Sequence, residues 1–195
     1  MSKIITIGVI LAAVLGGVAL VTLYQADKAR SELPVLGTVG PFTLTDQFGE
    51  PFTDADLTDK LSVVEFFFTG CRGPCPIMNG HFADLYRAFA ETDRVQFVSI
   101  TVDPEADSTA RLADYAARFG VSDRRWVFLT GPLDSIVRIS ETYFMLAADD
   151  LPGNHSTRFA LVDGRHRIRA YYSGTDAASV DVLRTHLREL LDDLP

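Results

Sequence analysis

The chain has 195 residues, with 18 basic and 26 acidic side chains and a formal net charge of −8 at pH 7. This acidic balance argues against a nucleic-acid partner that would be bound through a basic surface. Hydrophobic residues make up 47% and charged residues 23%, which excludes a disordered chain, and two cysteines are too few for a disulfide scaffold.

The N-terminus carries an uncharged run from Ile4 to Leu23, and about 20 apolar residues suffice to span a bilayer as a helix. Gly17–Ala19 could serve as the cleavage site of a signal peptide, but the apolar run continues past it. We therefore predict a single transmembrane helix in a membrane anchor over residues 1–30, in preference to a cleaved signal. A linker over 31–40 and a globular domain over 41–195 follow.

The domain pattern alternates strands and helices. In chain order, we predict a hairpin over Pro41–Thr53, strands over Ser62–Phe68, Val95–Val102, Trp126–Leu129, Arg158–Val162 and Arg167–Tyr172, and helices over Pro76–Glu91, Ser108–Phe119, Leu133–Phe144 and Asp176–Leu191. Alternation indicates parallel strands with crossover helices, and the last two strands add an antiparallel edge. The expected fold class is α/β, with helices on both faces of one sheet.

The two cysteines, Cys71 and Cys75, lie between a predicted buried strand and a helix that begins near Pro76. A helix N-terminus favours a thiolate, and Arg72 adds positive charge, so we expect lowered thiol pKa values. A disulfide across so short a loop would remove little entropy from the unfolded chain, so stability explains the pair poorly. The spacing indicates a redox or metal-binding role.

Two thiolates alone make a poor metal site, so a third ligand is expected. His155 lies in a turn-rich segment directly before the strand Arg158–Val162. It can reach the cysteines only if this strand runs antiparallel to the strand that precedes Cys71. From the residues alone, a metal ligand and a surface residue both remain open for His155. The other histidines are interpreted as surface residues: His81, His166 and His186.

Three segments resemble the signature blocks of the SCO/SenC family: FFFTGCRGPCP, VSITVDPEAD and NHSTRFALVD. Members of that family are membrane-anchored copper proteins needed to assemble the copper A centre of cytochrome c oxidase. The resemblance implies a thioredoxin-like fold with an N-terminal β-hairpin extension. It also implies that Cys71, Cys75 and His155 are the copper ligands, and that Asp103 lies near the site without being a ligand. Arg72 and Gly73 stand where family members often carry Pro and Asp.

The resemblance favours a metallochaperone that binds Cu(I), and also Cu(II), and passes copper to the copper A subunit of cytochrome c oxidase or to another copper-site protein. Zinc is an alternative metal for a Cys₂His site. A thiol-disulfide oxidoreductase, with Cys71 attacking and Cys75 resolving, and a redox or copper sensor are the alternative functions. We expect the domain in the periplasm, on the bacterial inner membrane, because oxidisable thiol pairs favour an extracytoplasmic compartment.

Overall fold

The computed structural model describes residues 15–18, 33–148 and 151–192. It divides into two compact units, Met1–Leu33 with Pro195, and Pro34–Leu194. Residues 15–18 are helical, and the rest of the predicted anchor run lies outside the described residues. Among the described residues, no helix has the length and apolar character needed to cross a membrane.

The second unit is built on one eight-stranded sheet. Its strands are β1 (Gly37–Thr38), β2 (Thr43–Asp46), β3 (Pro51–Thr53), β4 (Leu61–Phe67), β5 (Val95–Thr101), β6 (Trp126–Thr130), β7 (Arg158–Val162) and β8 (Arg167–Ser173). The helices are α1 (Cys75–Ala88), α2 (Thr109–Arg118), α3 (Leu133–Arg138) and α4 (Ala177–Asp192), with a 3₁₀ turn at Asp54–Leu57. The strand order is β1-β8-β7-β4-β5-β6-β2-β3.

The direction of β7 is the feature that positions the site. Strands β4, β5 and β6 are parallel, whereas β7 is antiparallel to β4, with Val63 opposite Leu161. The start of β7 therefore lies beside the end of β4, at the edge of the sheet from which the cysteine loop leaves. The hairpin β2–β3 pairs through β2 with β6, which confirms the predicted N-terminal hairpin.

Both faces of the sheet are covered, as predicted. On one face, Phe82 of α1 packs against Phe97, Trp126 and Phe159, with ring centroids 4.9–5.4 Å apart. On the other face, Phe144 packs edge-on against Phe66 at 5.6 Å. Burial of these large aromatic side chains supplies much of the apolar area that stabilises the domain.

The predicted helix over Leu133–Phe144 is wrong in its second half. The α-helix ends at Arg138, and a π-helical turn covers Ile139–Tyr143. In that turn the amide of Phe144 donates to the carbonyl of Ile139 at 3.0 Å. The wider turn allows both Ile139 and Phe144 to enter the same apolar core, which a 3.6-residue period does not do at this spacing.

Candidate metal centre

The cysteine loop follows directly from β4, which ends at Phe67. The amide of Cys71 donates to the carbonyl of Phe68 at 3.3 Å, which turns the chain toward α1. Cys75 is the first residue of α1 and is fully buried, whereas Cys71 is partly exposed. Both thiols are free. Pro76 fits in the first turn because amide groups there have no partner within the helix.

His155 reaches the cysteines because β7 runs antiparallel to β4. Its Nε2 lies 3.3 Å from Sγ of Cys75. One ligand atom from each of Cys71, Cys75 and His155 lies within 4.8 Å of the others, and His155 is only 9% exposed. The sequence allowed His155 to reach the cysteines only if its strand ran antiparallel to the strand before Cys71. The antiparallel pairing of β7 with β4 meets that condition.

The imidazole of His155 is held in one orientation. Its Nδ1 lies 3.1 Å from the carbonyl oxygen of Ser156, and because a carbonyl can only accept, Nδ1 carries the hydrogen and Nε2 the lone pair. The ring of Phe68 meets the imidazole edge-on at 5.6 Å. Burial lowers the pKa of His155, although backbone hydrogen bonds to Ser156 and Phe66 oppose the shift. The neutral ring therefore presents Nε2 to the thiols.

The predicted lowering of the thiol pKa is wrong for Cys75. Burial raises the pKa of this thiol well above its ordinary value, and the neighbouring Cys71 and Glu65 add to the effect. Desolvation of the anion thus outweighs the favourable helix dipole. Cys75 holds its proton in the metal-free protein, and the S–H group donates to Nε2 of His155.

A buried carboxylate that the sequence analysis did not single out anchors the cysteine loop. Asp107 accepts hydrogen bonds from the backbone amide of Thr69 at 3.0 Å and from its hydroxyl at 2.5 Å. Its other contacts are the hydroxyl of Thr101 at 2.6 Å and Nε of Arg111 at 3.5 Å. Since Thr69 lies two residues before Cys71, Asp107 ties the thiol-bearing loop to β5 and α2.

Asp103 is not among the clustered ligands, and its described contacts are local. Its carbonyl accepts from the amides of Ala106 and Asp107, so it forms the turn that brings Asp107 to the loop. The remaining histidines also lie apart from the cluster. His81 bonds the carbonyl of Gly174 at 2.8 Å, His166 bonds Thr58 at 3.0 Å, and His186 bonds Tyr172 at 2.7 Å.

A second buried acid lies in the core on the α1 side of the sheet. Glu65 of β4 is fully buried, and its Oε1 accepts from the hydroxyl of Ser99 at 2.7 Å. Trp126 donates to the same hydroxyl at 2.9 Å. Within the part of the chain that the structure describes, Oε2 of Glu65 has no hydrogen-bond partner. Burial raises the pKa of Glu65 to about 8, and the Ser99 hydrogen bond opposes this only in part.

The three clustered side chains can perform two kinds of chemistry. Two sulfurs and an imidazole nitrogen are a soft donor set, which suits Cu(I) or zinc better than hard cations such as magnesium. The same two thiols are close enough to form a disulfide with each other, so they can also reduce the disulfide of a partner protein by exchange. The geometry alone therefore supports a metal site or a redox pair.

Comparisons with known proteins identify the family. The SCO1/SenC family model matches residues 31–192. The SCO1 protein homolog of Bacillus subtilis is 30% identical over 154 residues, which cover 76% of this chain and 80% of the relative. The match therefore spans the described domain, including the cysteine loop and His155.

Solved structures give the same result. A structure of BsSco, described as a member of the Sco family of cytochrome c oxidase assembly proteins, is 28% identical, with a TM-score of 0.71 and coverage of 80% of this chain and 95% of that one. Bradyrhizobium japonicum ScoI with copper bound is 27% identical, with a TM-score of 0.65 and coverage of 77% and 99%. These neighbours support the thioredoxin-like α/β fold. The chain belongs to the SCO1/SenC family.

Proposed function

We propose that this protein is a copper metallochaperone that binds copper through Cys71, Cys75 and His155. The observation that carries the proposal is the convergence of two thiols and one imidazole within 4.8 Å. Cu(I) prefers thiolate and imidazole ligands. The likeness to ScoI with copper bound supports copper rather than zinc as the metal.

The unequal exposure of the ligands suits transfer of the metal. Cys75 and His155 are buried, whereas Cys71 is partly exposed at the surface of the loop. An incoming thiolate or imidazole of another protein can approach the copper on the Cys71 side. Ligand exchange can then proceed while Cys75 and His155 still hold the ion.

The receiving protein we propose is the copper A subunit of cytochrome c oxidase. The family membership supports this proposal, since BsSco is described as belonging to a family of cytochrome c oxidase assembly proteins. Copper sites in proteins favour thiolate and imidazole ligands, which are the donor types of this site. Transfer would thus occur between sites of similar chemistry.

The proposal predicts tight binding of one Cu(I) per chain to the reduced protein. Replacing His155 by Ala should weaken binding by about 2 kcal/mol, roughly thirtyfold, because one of three strong contacts is lost. An anaerobic competition titration against a chromogenic Cu(I) chelator measures this change. The matched control is His186→Ala, since His186 lies on α4, bonds Tyr172 of β8 and is outside the cluster.

Two outcomes would contradict the proposal. The first is the absence of tight copper binding by the reduced parent chain. The second is an equal affinity for the parent and the His155→Ala variant, which would remove the imidazole from the site. An equal loss in the His186→Ala control would trace the effect to the fold rather than to a ligand.

A thiol-disulfide oxidoreductase is the second candidate, and the contrast between the partly exposed Cys71 and the buried Cys75 favours it specifically. The Cys71 thiolate would attack a partner disulfide and release one partner thiolate. Cys75 would then attack the mixed disulfide, leaving a Cys71–Cys75 disulfide and a reduced partner dithiol. His155→Ala should leave reduction of a model disulfide within about threefold of the parent rate, whereas Cys71→Ser should abolish it.

We also propose that residues 4–23 anchor the protein in the bacterial inner membrane, with the domain in the periplasm. The uncharged apolar run and the oxidisable thiol pair support this location. The test is fractionation of cells that express the full chain, followed by protease treatment of spheroplasts. A membrane-bound chain that is digested from outside supports the proposal, and a soluble or protected chain contradicts it.

A further inference from the structure

A half-open cleft of about 330 Å³ lies beside the cysteine loop. It is lined by Thr69 of the loop and by four residues of α2: Arg111, Asp114, Tyr115 and Arg118. Because Thr69 lies two residues before Cys71, a group bound in the cleft would contact the segment that carries the exposed thiol. The site described above uses none of these five side chains as a ligand.

The guanidinium of Arg111 is bonded to the protein along its Nε edge, and its other edge is available to a ligand. Its Nε donates to Oγ1 of Thr69 at 2.6 Å and lies 3.5 Å from the buried carboxylate of Asp107. The side chain is nevertheless 53% exposed. Among the described residues, the two terminal nitrogens of Arg111 have no hydrogen-bond or ion-pair partner. A guanidinium held in this way presents two parallel N–H donors in the geometry that matches an anionic oxygen pair.

Arg118 supplies a second cation on the same wall of the cleft. Its guanidinium carbon lies 5.6 Å from the centroid of the Tyr115 ring, which orients it along α2. Within the described chain, Arg118 forms no ion pair. These two arginines stand out because the sequence beyond residue 30 carries 15 basic and 25 acidic residues. Arg72, next to Cys71, is also exposed and adds a positive charge to the cysteine loop.

The balance of charge in the cleft selects the class of anion. Asp107 partly neutralises Arg111 from behind, and Asp114 lines the cleft as a second carboxylate. A dianion such as phosphate incurs a desolvation cost that rises with the square of its charge, whereas its attraction to the two arginines, reduced by Asp114, rises only in proportion to its charge. A single carboxylate requires less positive charge and can bond the fork of Arg111 with both oxygens.

We propose that this cleft binds a carboxylate side chain of the protein with which the chain exchanges copper. The bound carboxylate would place an acidic segment of that partner beside Cys71, so the cleft would orient the partner for ligand exchange. The identity of the partner rests on the proposed function, whereas the binding of a carboxylate does not.

Propionate is the probe, added to the ¹⁵N-labelled, reduced, metal-free full chain in detergent at constant ionic strength. We expect saturable shifts of the Thr69 amide and of the Nε–H resonances of Arg111 and Arg118. Propionamide, which has the same shape but no charge, should cause no such shifts. Arg111→Lys and Arg118→Gln should each weaken propionate binding roughly tenfold, since each removes charge-assisted hydrogen bonds.

Arg138→Gln is the matched control, because Arg138 is exposed on α3, on the opposite face of the sheet. It should leave propionate binding unchanged. Shifts that do not saturate, or that Arg138→Gln reduces as much as Arg118→Gln does, would overturn the proposal. Equal binding of phosphate would overturn the carboxylate assignment. Since no copper is present, failure here is distinct from failure of the copper titration.

Discussion

Replacing Glu65 by Gln should remove a large loss of stability that the metal-free protein undergoes as the pH rises from acidic to alkaline values. The carboxyl group of Glu65 is fully buried, and burial raises its pKa from 4.5 to about 8. The folded protein therefore keeps this proton up to a much higher pH than the unfolded chain does. Glutamine has no proton to lose, so the variant should lack this dependence.

The sign follows from the raised folded-state pKa. Below about pH 4.5 the carboxyl group is protonated in both states, and its contribution to stability is fully present. As the pH rises toward 8, the unfolded chain ionises while the folded protein does not, so the free energy of unfolding falls. A shift of this size corresponds to a loss on the order of 4 kcal/mol across the window.

Urea denaturation at pH 5 and pH 9 measures the effect. The difference in unfolding free energy between Glu65→Gln and the parent should change by about 4 kcal/mol in favour of the variant. The change in this difference between pH 5 and pH 9 isolates the effect of the Glu65 proton, because any cost of burying the glutamine amide is the same at both pH values. Glu105→Gln, at an exposed position, should follow the parent. An unchanged pH dependence in Glu65→Gln would contradict the buried-acid account.

Asp107→Ala should destabilise the fold and weaken the copper site together. The substitution removes the acceptor for the amide and hydroxyl of Thr69 and for the hydroxyl of Thr101. These donors are left without their partner, and Arg111 loses its buried counter-charge. We expect the free energy of unfolding to fall by about 3–5 kcal/mol in urea denaturation at pH 7.

The copper affinity should fall by roughly tenfold or more, because groups that orient metal ligands have effects of this size. Thr69 lies between Phe68, which packs against His155, and Cys71. A loosened loop therefore disturbs two of the three ligands. Asp181→Ala is the control, since its carboxylate makes only an exposed pair with Arg184 and should cost about 1 kcal/mol or less. A similarly small loss in Asp107→Ala would show that Asp107 does not anchor the loop.

Local patterns were sufficient to predict most elements. The strand Arg158–Val162 was predicted with its observed bounds, and the start of α1 differs by one residue. Alternation of strands and helices correctly indicated the parallel arrangement of β4, β5 and β6. The short strand β1, Gly37–Thr38, was missed, because two residues carry no periodicity and it forms only by pairing with β8.

The candidate ligands were found largely by resemblance. The spacing of Cys71 and Cys75 indicated a metal or redox site, but His155 is 80 residues from Cys75 in sequence. Its approach depends on the antiparallel direction of β7, which local patterns do not fix. The family motifs supplied that expectation, and the structure brings the three side chains together.

The buried acids could not have been assigned from the sequence. Asp107 differs from Asp103 only by four positions in the same motif, and packing alone decides which of them reaches Thr69. Glu65 is the one charged residue of its strand, but the sequence does not show how completely packing buries it. The prediction of a lowered pKa for Cys75 was wrong for the same reason. Tertiary packing sets how far the thiol is desolvated, and the position of Cys75 at a helix N-terminus does not reveal it.

X-ray absorption at the copper edge tests the central claim most directly. The full chain loaded with one Cu(I) should show two sulfur neighbours and one nitrogen neighbour at ligand distance, with multiple scattering from an imidazole ring. In His155→Ala the imidazole scattering should disappear while both sulfurs remain. A parent spectrum with only sulfur neighbours, or imidazole scattering that persists in His155→Ala, would contradict the assignment of Cys71, Cys75 and His155 as the copper site.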